Sequence, residues 1–328
     1  MVRQPVPLKI AIADFPHTLA VKNGSIPIDG VTPEFVNVVP QIAAFRRMVR
    51  QVEFDVCELA ATTYIVARAH KAPFQALPIF VHRMFHHGGM LVRPDAGIRH
   101  PKDLEGRNVG VRAYTVTTGV WTRGVLMDEY GLDNSKMTWF VDDEEHVTQL
   151  TLPANARRVP PGSSLVDMMA DGRIVAGMAG NAGLGRTGAP AEGWNSMQVP
   201  AVEYPDLIPD AKEREAAWYV RTGIYPMHGT IVVKNSVLAE HPWIARALYD
   251  AFEQAKTDWL KTLHDGSAQT PGDQKYRVLA KIVGSDPLPY GLEANAASVR
   301  YLEDTAFRQG LIPQRMTMDE LFFDSATL

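Results

Sequence analysis

Residues 82–124, HRMFHHGGMLVRPDAGIRHPKDLEGRNVGVRAYTVTTGVWTRG, gather six arginines and four histidines in a chain whose formal net charge is −4. A guanidinium meets a carboxylate through two parallel hydrogen bonds, so Arg83, Arg112 and Arg123 are candidate clamps for a carboxylate ligand. Arg123 follows Trp121 on an expected helix and could equally pair with Asp128 or Glu129. The stretch RAYTVTTG, 112–119, lies where a strand gives way to a helix. Free backbone N–H groups and the positive end of the helix dipole favour an anion there. Thr115, Thr117 and Thr118 add hydroxyl donors, or cap the helix, which is expected of at least one of them.

Proton chemistry would fall to imidazoles, which titrate near neutral pH. His86 stands in VHRMFHH, His17 in DFPHT after the first strand, and His228 in YPMHGT before a later one. Glu58, in CELA, is an acid at the end of an apolar strand, where burial would raise its pKa and suit proton transfer. Its plainer role is to pair with Arg83 or a backbone amide. His82, His86 and His87 with distant His228 could also be read as metal ligands. No HExxH-type spacing supports that, and a histidine trio in a turn more often makes ordinary hydrogen bonds, so no metal is expected. There is no GxSxG elbow and no P-loop, and GLGRTG at 183–188 lacks the strand before it and the helix after it that a dinucleotide site needs.

At 328 residues, with 46% hydrophobic and 21% charged content, the chain is long enough for two lobes that each bury a core. The mildly acidic charge offers no field for nucleic acid or an anionic membrane. Cys57 is the only cysteine, which excludes an intrachain disulfide framework, and its apolar setting suggests an inert thiol. MVRQPVPLKIAIADF reaches a strand-like run at once without a signal-peptide core, which points to a cytoplasmic protein unless a leader was removed. A homo-oligomer stays open.

These residues need a scaffold, and the hydrophobic patterning supplies one. LKIAIAD reads as a buried strand, PQIAAFRRMVRQVEF as an amphipathic helix, FDVCELA as a second strand and TTYIVARAHK as a second helix. ALPIFV, GGMLVRP, NVGVRAY, MTWFVDD, IVAGMAG and YPMHGTIVVKNS continue as strands. TTGVWTRGVLMDEYGL is a helix closed by Gly131, and SSLVDMMADG one capped by Ser163 or Ser164. Residues 183–217, rich in Gly, Pro and charge, read as a long excursion, and helices fill the last third. Alternating strands and helices argue for an α/β architecture with parallel sheets.

RMFHHGGMLVRPDAGIRHPKDLEGRNVGV, WTRGVLMDEYG and YPMHGTIVVKNSVLAEHPWIARALYDAFEQAK together resemble the 4,5-dihydroxyphthalate decarboxylase family. That family is similar in turn to type 2 periplasmic solute-binding proteins, whose strand and DLEG turn stand here at Asp103–Gly106. The likeness runs from Leu8 to about Phe323. It implies a two-lobed type 2 periplasmic-binding-protein-like fold with the ligand clamped between lobes at 1–92 plus 229–328 and at 93–228. It also implies cofactor-independent decarboxylation of a hydroxylated aromatic dicarboxylate, 4,5-dihydroxyphthalate to protocatechuate. Within that reading His86 or His228 donates the proton and Arg83 and Arg112 hold carboxylate. Thr118 supports them, with Thr115, Arg123 and His17 in the binding set and Glu58 near the phenols. Gly88, Gly89 and GRIVAG at 172–177 depart from the family pattern and bear on substrate choice. The rival is a binding protein that closes on a carboxylate without chemistry.

Overall fold

The computed structural model describes residues 4–186 and 202–324. Its strands are β1 (Val6–Ala11), β2 (Val31–Phe35), β3 (Val56–Ala60), β4 (Phe74–Arg83), β5 (Met90–Val92), β6 (Asn108–Gly110), β7 (Thr138–Val141), β8 (Ala156–Arg158), β9 (Ala176–Met178) and β10 (Met227–Lys234). The helices of the first half are α1 (Leu19–Lys22), α2 (Gln41–Gln51), α3 (Ala61–Ala69) and α4 (Thr117–Tyr130). The later ones are α5 (Leu165–Ala170), α6 (Ala211–Thr222), α7 (Asn235–Glu240), α8 (Trp243–Asp265), α9 (Pro271–Val283), α10 (Ala296–Arg308) and α11 (Met318–Leu321). None of the described helices is long and apolar enough to cross a membrane.

Two five-stranded sheets result, ordered β2-β1-β3-β10-β4 and β5-β9-β6-β7-β8. In the first, β1 runs parallel to β2 and β3, while β10 is antiparallel to β3 and β4. The second is parallel except for β5. The chain therefore leaves the first sheet after β4 and returns to it as β10, which bears out the two-lobed α/β fold. Met90–Val92, which sequence reading put in the first lobe, is hydrogen-bonded to β9 in the second sheet. On the return path α6 packs against α9, with Tyr219 Oη donating to Val283 O at 3.3 Å.

Local chemistry explains most elements. VCELA is buried at all five positions, as a central strand covered on both faces must be. Ser164 caps α5 by accepting from Asp167 N, and Gly131 ends α4 in the left-handed conformation that glycine adopts at little cost. Helix α4 is buried almost all round because α10 lies against it. A Cβ at Gly124 would sit 2.8 Å from Thr305 Cγ2, so the two helices approach as closely as they do only through this glycine. Gly124→Ala should destabilise the fold by about 1–3 kcal/mol, the usual cost of overpacking, read as a lower urea midpoint.

The excursion expected at 183–217 is shorter than that. Residues 187–201 lie outside the described residues, and 211–222 form α6, whose Trp218 is buried. Its AKEREAA start is rich in strong helix formers, a signal masked by the prolines before it. The strands β2 and β8 were not expected, since both are edge strands with mostly exposed residues and little apolar alternation.

Candidate active site

Between the sheets lies a cavity of about 50 Å³. Ile42, Phe45, Ala60, Thr63 and His228 line it from the first lobe, and Arg112, Thr115, Thr117 and His146 from the second. Helices α2, α3 and α4 all begin at its wall, behind Pro40, Ala60 and Val116, and none has a side-chain cap. First turns without an N-cap side chain direct N–H groups and the positive dipole ends at the space between them, although Thr62 N of α3 is already taken by α4. The lobes are closed on each other: Thr62 N of α3 donates to Thr117 Oγ1 of α4 at 3.2 Å. The threonines of RAYTVTTG thus serve contacts other than the expected cap. Thr118 is half-buried and does not line the cavity.

Arg112 follows β6 and is buried. Its Nη1 pairs with Asp143 Oδ2 and its Nε donates to Asn181 O at 2.8 Å. Glu145 accepts from Tyr114 N at 2.6 Å, from Thr115 N at 3.1 Å and from Thr115 Oγ1. The chain's own carboxylates therefore occupy the strand-to-helix turn where a ligand carboxylate was expected. They sit on DDEEH, 142–146, just after β7, and α2 holds that segment from the opposite lobe. Arg46 Nη2 donates to Asp143 Oδ2 at 3.0 Å, and Arg50 Nη2 to Glu144 Oε2 at 3.0 Å and Glu145 O at 2.8 Å. Sequence reading missed this segment, although four consecutive acids and a histidine at the C-terminal end of a parallel strand are a usable signal.

The histidines form a stacked row. His86 lies parallel to Trp121, with centroids 6.3 Å apart, and 5.6 Å from His228. His228 meets His82 edge-on at 4.9 Å, and His82 Nε2 is 2.8 Å from Lys275 Nζ. Both ring nitrogens of His86 and Nδ1 of His228 are buried without a hydrogen-bond partner. Burial pulls the pKa of His228 down to about 4 and those of His86 and His82 well below the ordinary range. All three are neutral at pH 7, and burial makes each a weak base whose protonated form is a strong acid. His87 packs edge-on to Trp218, away from this row. Among the described residues, no three His, Cys, Asp or Glu side chains converge as a metal site requires.

Glu58 lies on β3 and is not paired with Arg83; its Oε2 accepts from Ala13 N at 3.0 Å. Burial raises its pKa to about 7. A Cβ at Gly229 would fall 3.1 Å from Glu58 Oε1, so the glycine after His228 makes room for this carboxyl.

Three other candidates sit elsewhere. Arg83 is fully buried, donating to Tyr225 O at 2.8 Å, Pro289 O at 3.1 Å and Asn295 Oδ1, so it ties β4 to the start of β10 and of α10. Arg123 is buried too, donating to Gln309 Oε1 at 2.6 Å and to Tyr114 O. Its suggested partners are taken, Asp128 by Arg308 and Glu129 by Arg221. His17 is buried with Nε2 2.9 Å from Val81 O, packed among Phe15, Trp259 and Tyr276, and burial lowers its pKa to about 3. Of the expected set, the structure brings His228, Arg112 and Thr115 to the cavity wall, with His86 stacked behind.

Residues 30–155 match the family described as ABC transporter, phosphonate, periplasmic substrate-binding protein. The alkanesulfonate-binding protein SsuA from Xanthomonas axonopodis pv. citri, bound to MOPS, superposes with a TM-score of 0.54 at 13% identity, covering 98% of this chain and 99% of that one. The desulfurization enzyme DSZB gives 0.53 at 13% identity, covering 98% and 97%. At such identities these neighbours establish the fold alone. Sequence relatives are nearer. A 4,5-dihydroxyphthalate decarboxylase of Pseudomonas putida is 33% identical over 187 residues, 53% of this chain and 72% of that one. Another, of Comamonas testosteroni, is 32% identical over 327 residues, 96% of each chain. A likeness of that level sustained from end to end means that the chain belongs to the 4,5-dihydroxyphthalate decarboxylase family.

Proposed function

We propose that this chain is a carboxy-lyase that removes one carboxyl group from a hydroxylated aromatic dicarboxylate, converting 4,5-dihydroxyphthalate to protocatechuate without a cofactor. The observation that carries this reading is the cavity itself, where three uncapped helix starts and Arg112 surround the neutral imidazole of His228. In the substrate each carboxylate is para to a hydroxyl. A proton added at the carboxyl-bearing carbon makes a cation that the para oxygen neutralises by losing its own proton. The bond to the carboxylate then breaks, carbon dioxide leaves, the electron pair returns the ring to aromaticity and the para oxygen takes its proton back. Arg112 and the helix N–H groups hold the retained carboxylate. His228 delivers the proton: an imidazolium with pKa near 4 is a strong acid, which suits a weakly basic carbon. His86, stacked on it, is the second candidate, and Glu58 lies behind the same wall.

A second reading, a solute-binding protein for an aromatic or small carboxylate, is favoured by the match of residues 30–155 to a substrate-binding family. One assay separates the two. Chelator-treated protein should convert 4,5-dihydroxyphthalate to protocatechuate and carbon dioxide. Tight binding without product would favour the binding protein, and activity lost on chelation but restored by a divalent ion would overturn cofactor independence.

A further inference from the structure

Decarboxylation of a carboxylate consumes one proton per turnover, so a proton that His228 delivers from the cavity wall has to be replaced before the next one. We infer that Lys275, on α9, supplies it by way of His82, an inference that rests on the decarboxylase reading. Lys275 is partly exposed, and its Nζ lies 2.8 Å from His82 Nε2. That contact leaves the His82 proton on Nδ1, and the His82 ring stands edge-on to that of His228 with centroids 4.9 Å apart. In the transfer, an N–H bond of the ammonium breaks as one forms at His82 Nε2. The Nδ1 proton of His82 passes to His228, and His228 gives its proton to the ring carbon as carbon dioxide departs. The neutral amine then takes a proton from water, and His82, left with its proton on Nε2, returns to the Nδ1 tautomer by exchange with solvent, which restores the starting state.

The surroundings of Lys275 suit the task. His82 from β4 and His86 beyond it, His228 from β10, and His17 after β1 face it as neutral imidazoles. Lys256 on α8 is engaged by Glu253 and Asp286. On α9 itself, Asp273 is held by Trp259 and Thr270, and Tyr276 presents its ring 5.5 Å away. Among the described residues no carboxylate pairs with Lys275, whose one hydrogen bond is to His82. Burial lowers its pKa to about 8, so it is charged at neutral pH yet releases its proton more readily than an exposed lysine.

Turnover of the intact protein should therefore hold steady below pH 8 and fall above it, as Lys275 loses its proton. Lys275→Met should lower kcat by about tenfold or more, leave KM within about twofold and abolish that alkaline limb. Lys275→Arg keeps the charge but cannot give up a proton, so it should be as slow as Lys275→Met if transfer matters. Wild-type kcat in the Arg variant would reduce Lys275 to a fixed charge and overturn the inference. So would an unchanged rate and pH profile in the Met variant. Should the wild type bind 4,5-dihydroxyphthalate but form no product, the decarboxylase reading itself falls, and the proton path with it.

Discussion

His228→Asn is expected to lower kcat by about 10²–10⁴ while ligand affinity stays within a few-fold, because general acid catalysis acts in the transition state. The substitution suits the test. His228 Nδ1 has no hydrogen-bond partner, so the change orphans no group at that atom, and the neighbouring rings of His82, edge-on, and His86, stacked, remain beside it. Rate and affinity are read separately, by product formation and by titration calorimetry with a non-reacting phthalate. A variant that keeps near-normal kcat would move the proton donor to His86 or to Glu58, whose pKa of about 7 leaves it partly protonated at neutral pH.

Arg112→Ala carries the second large effect, in two separable parts. A charge-assisted contact to carboxylate is worth about 1.5–3 kcal/mol, so affinity for a dicarboxylate should fall by roughly ten- to a hundredfold or more. Breaking a buried ion pair by removing one partner costs about 3–5 kcal/mol, and the low end applies because Asp143 keeps Arg46. Urea unfolding reads the second part, and calorimetry on the folded variant reads the first. Arg83→Ala should show only the loss of stability, since its three hydrogen bonds all go to the protein's own framework. Ligand affinity unaffected in Arg112→Ala would remove this arginine from the anion site.

The contrast among these arginines shows what was legible in the sequence. The βα alternation, the Gly131 stop and the Ser164 cap follow from local chemistry, and all three stand. His228 and Arg112 were found because residues at strand ends face the crevice in α/β folds. Arg83 and Arg123 have the same composition around them but point elsewhere, and their direction is set by partners 142 and 186 residues away. Lys275 was invisible for the same reason: 193 residues separate it from His82, and DQKYRVLAKIV reads as an ordinary amphipathic helix. The strand β2 was hidden by Pro33, which an edge strand tolerates because it needs no inner hydrogen bond there.

Glu145 at the start of α4 has a consequence for selectivity. A ligand carboxylate aiming for Tyr114 N and Thr115 N does not find an empty site; it competes with a carboxylate tethered a short way along the same chain. A tethered rival acts at a high effective concentration, which a ligand with a single anchor has difficulty matching. A second anionic group on the ligand, engaging the other lobe while the first displaces Glu145, tips the exchange. Arg46 and Arg50 reach across from that lobe to the segment bearing Glu145, so parting the lobes also removes a restraint on that segment. Self-occupation is therefore expected to favour doubly charged ligands over singly charged ones.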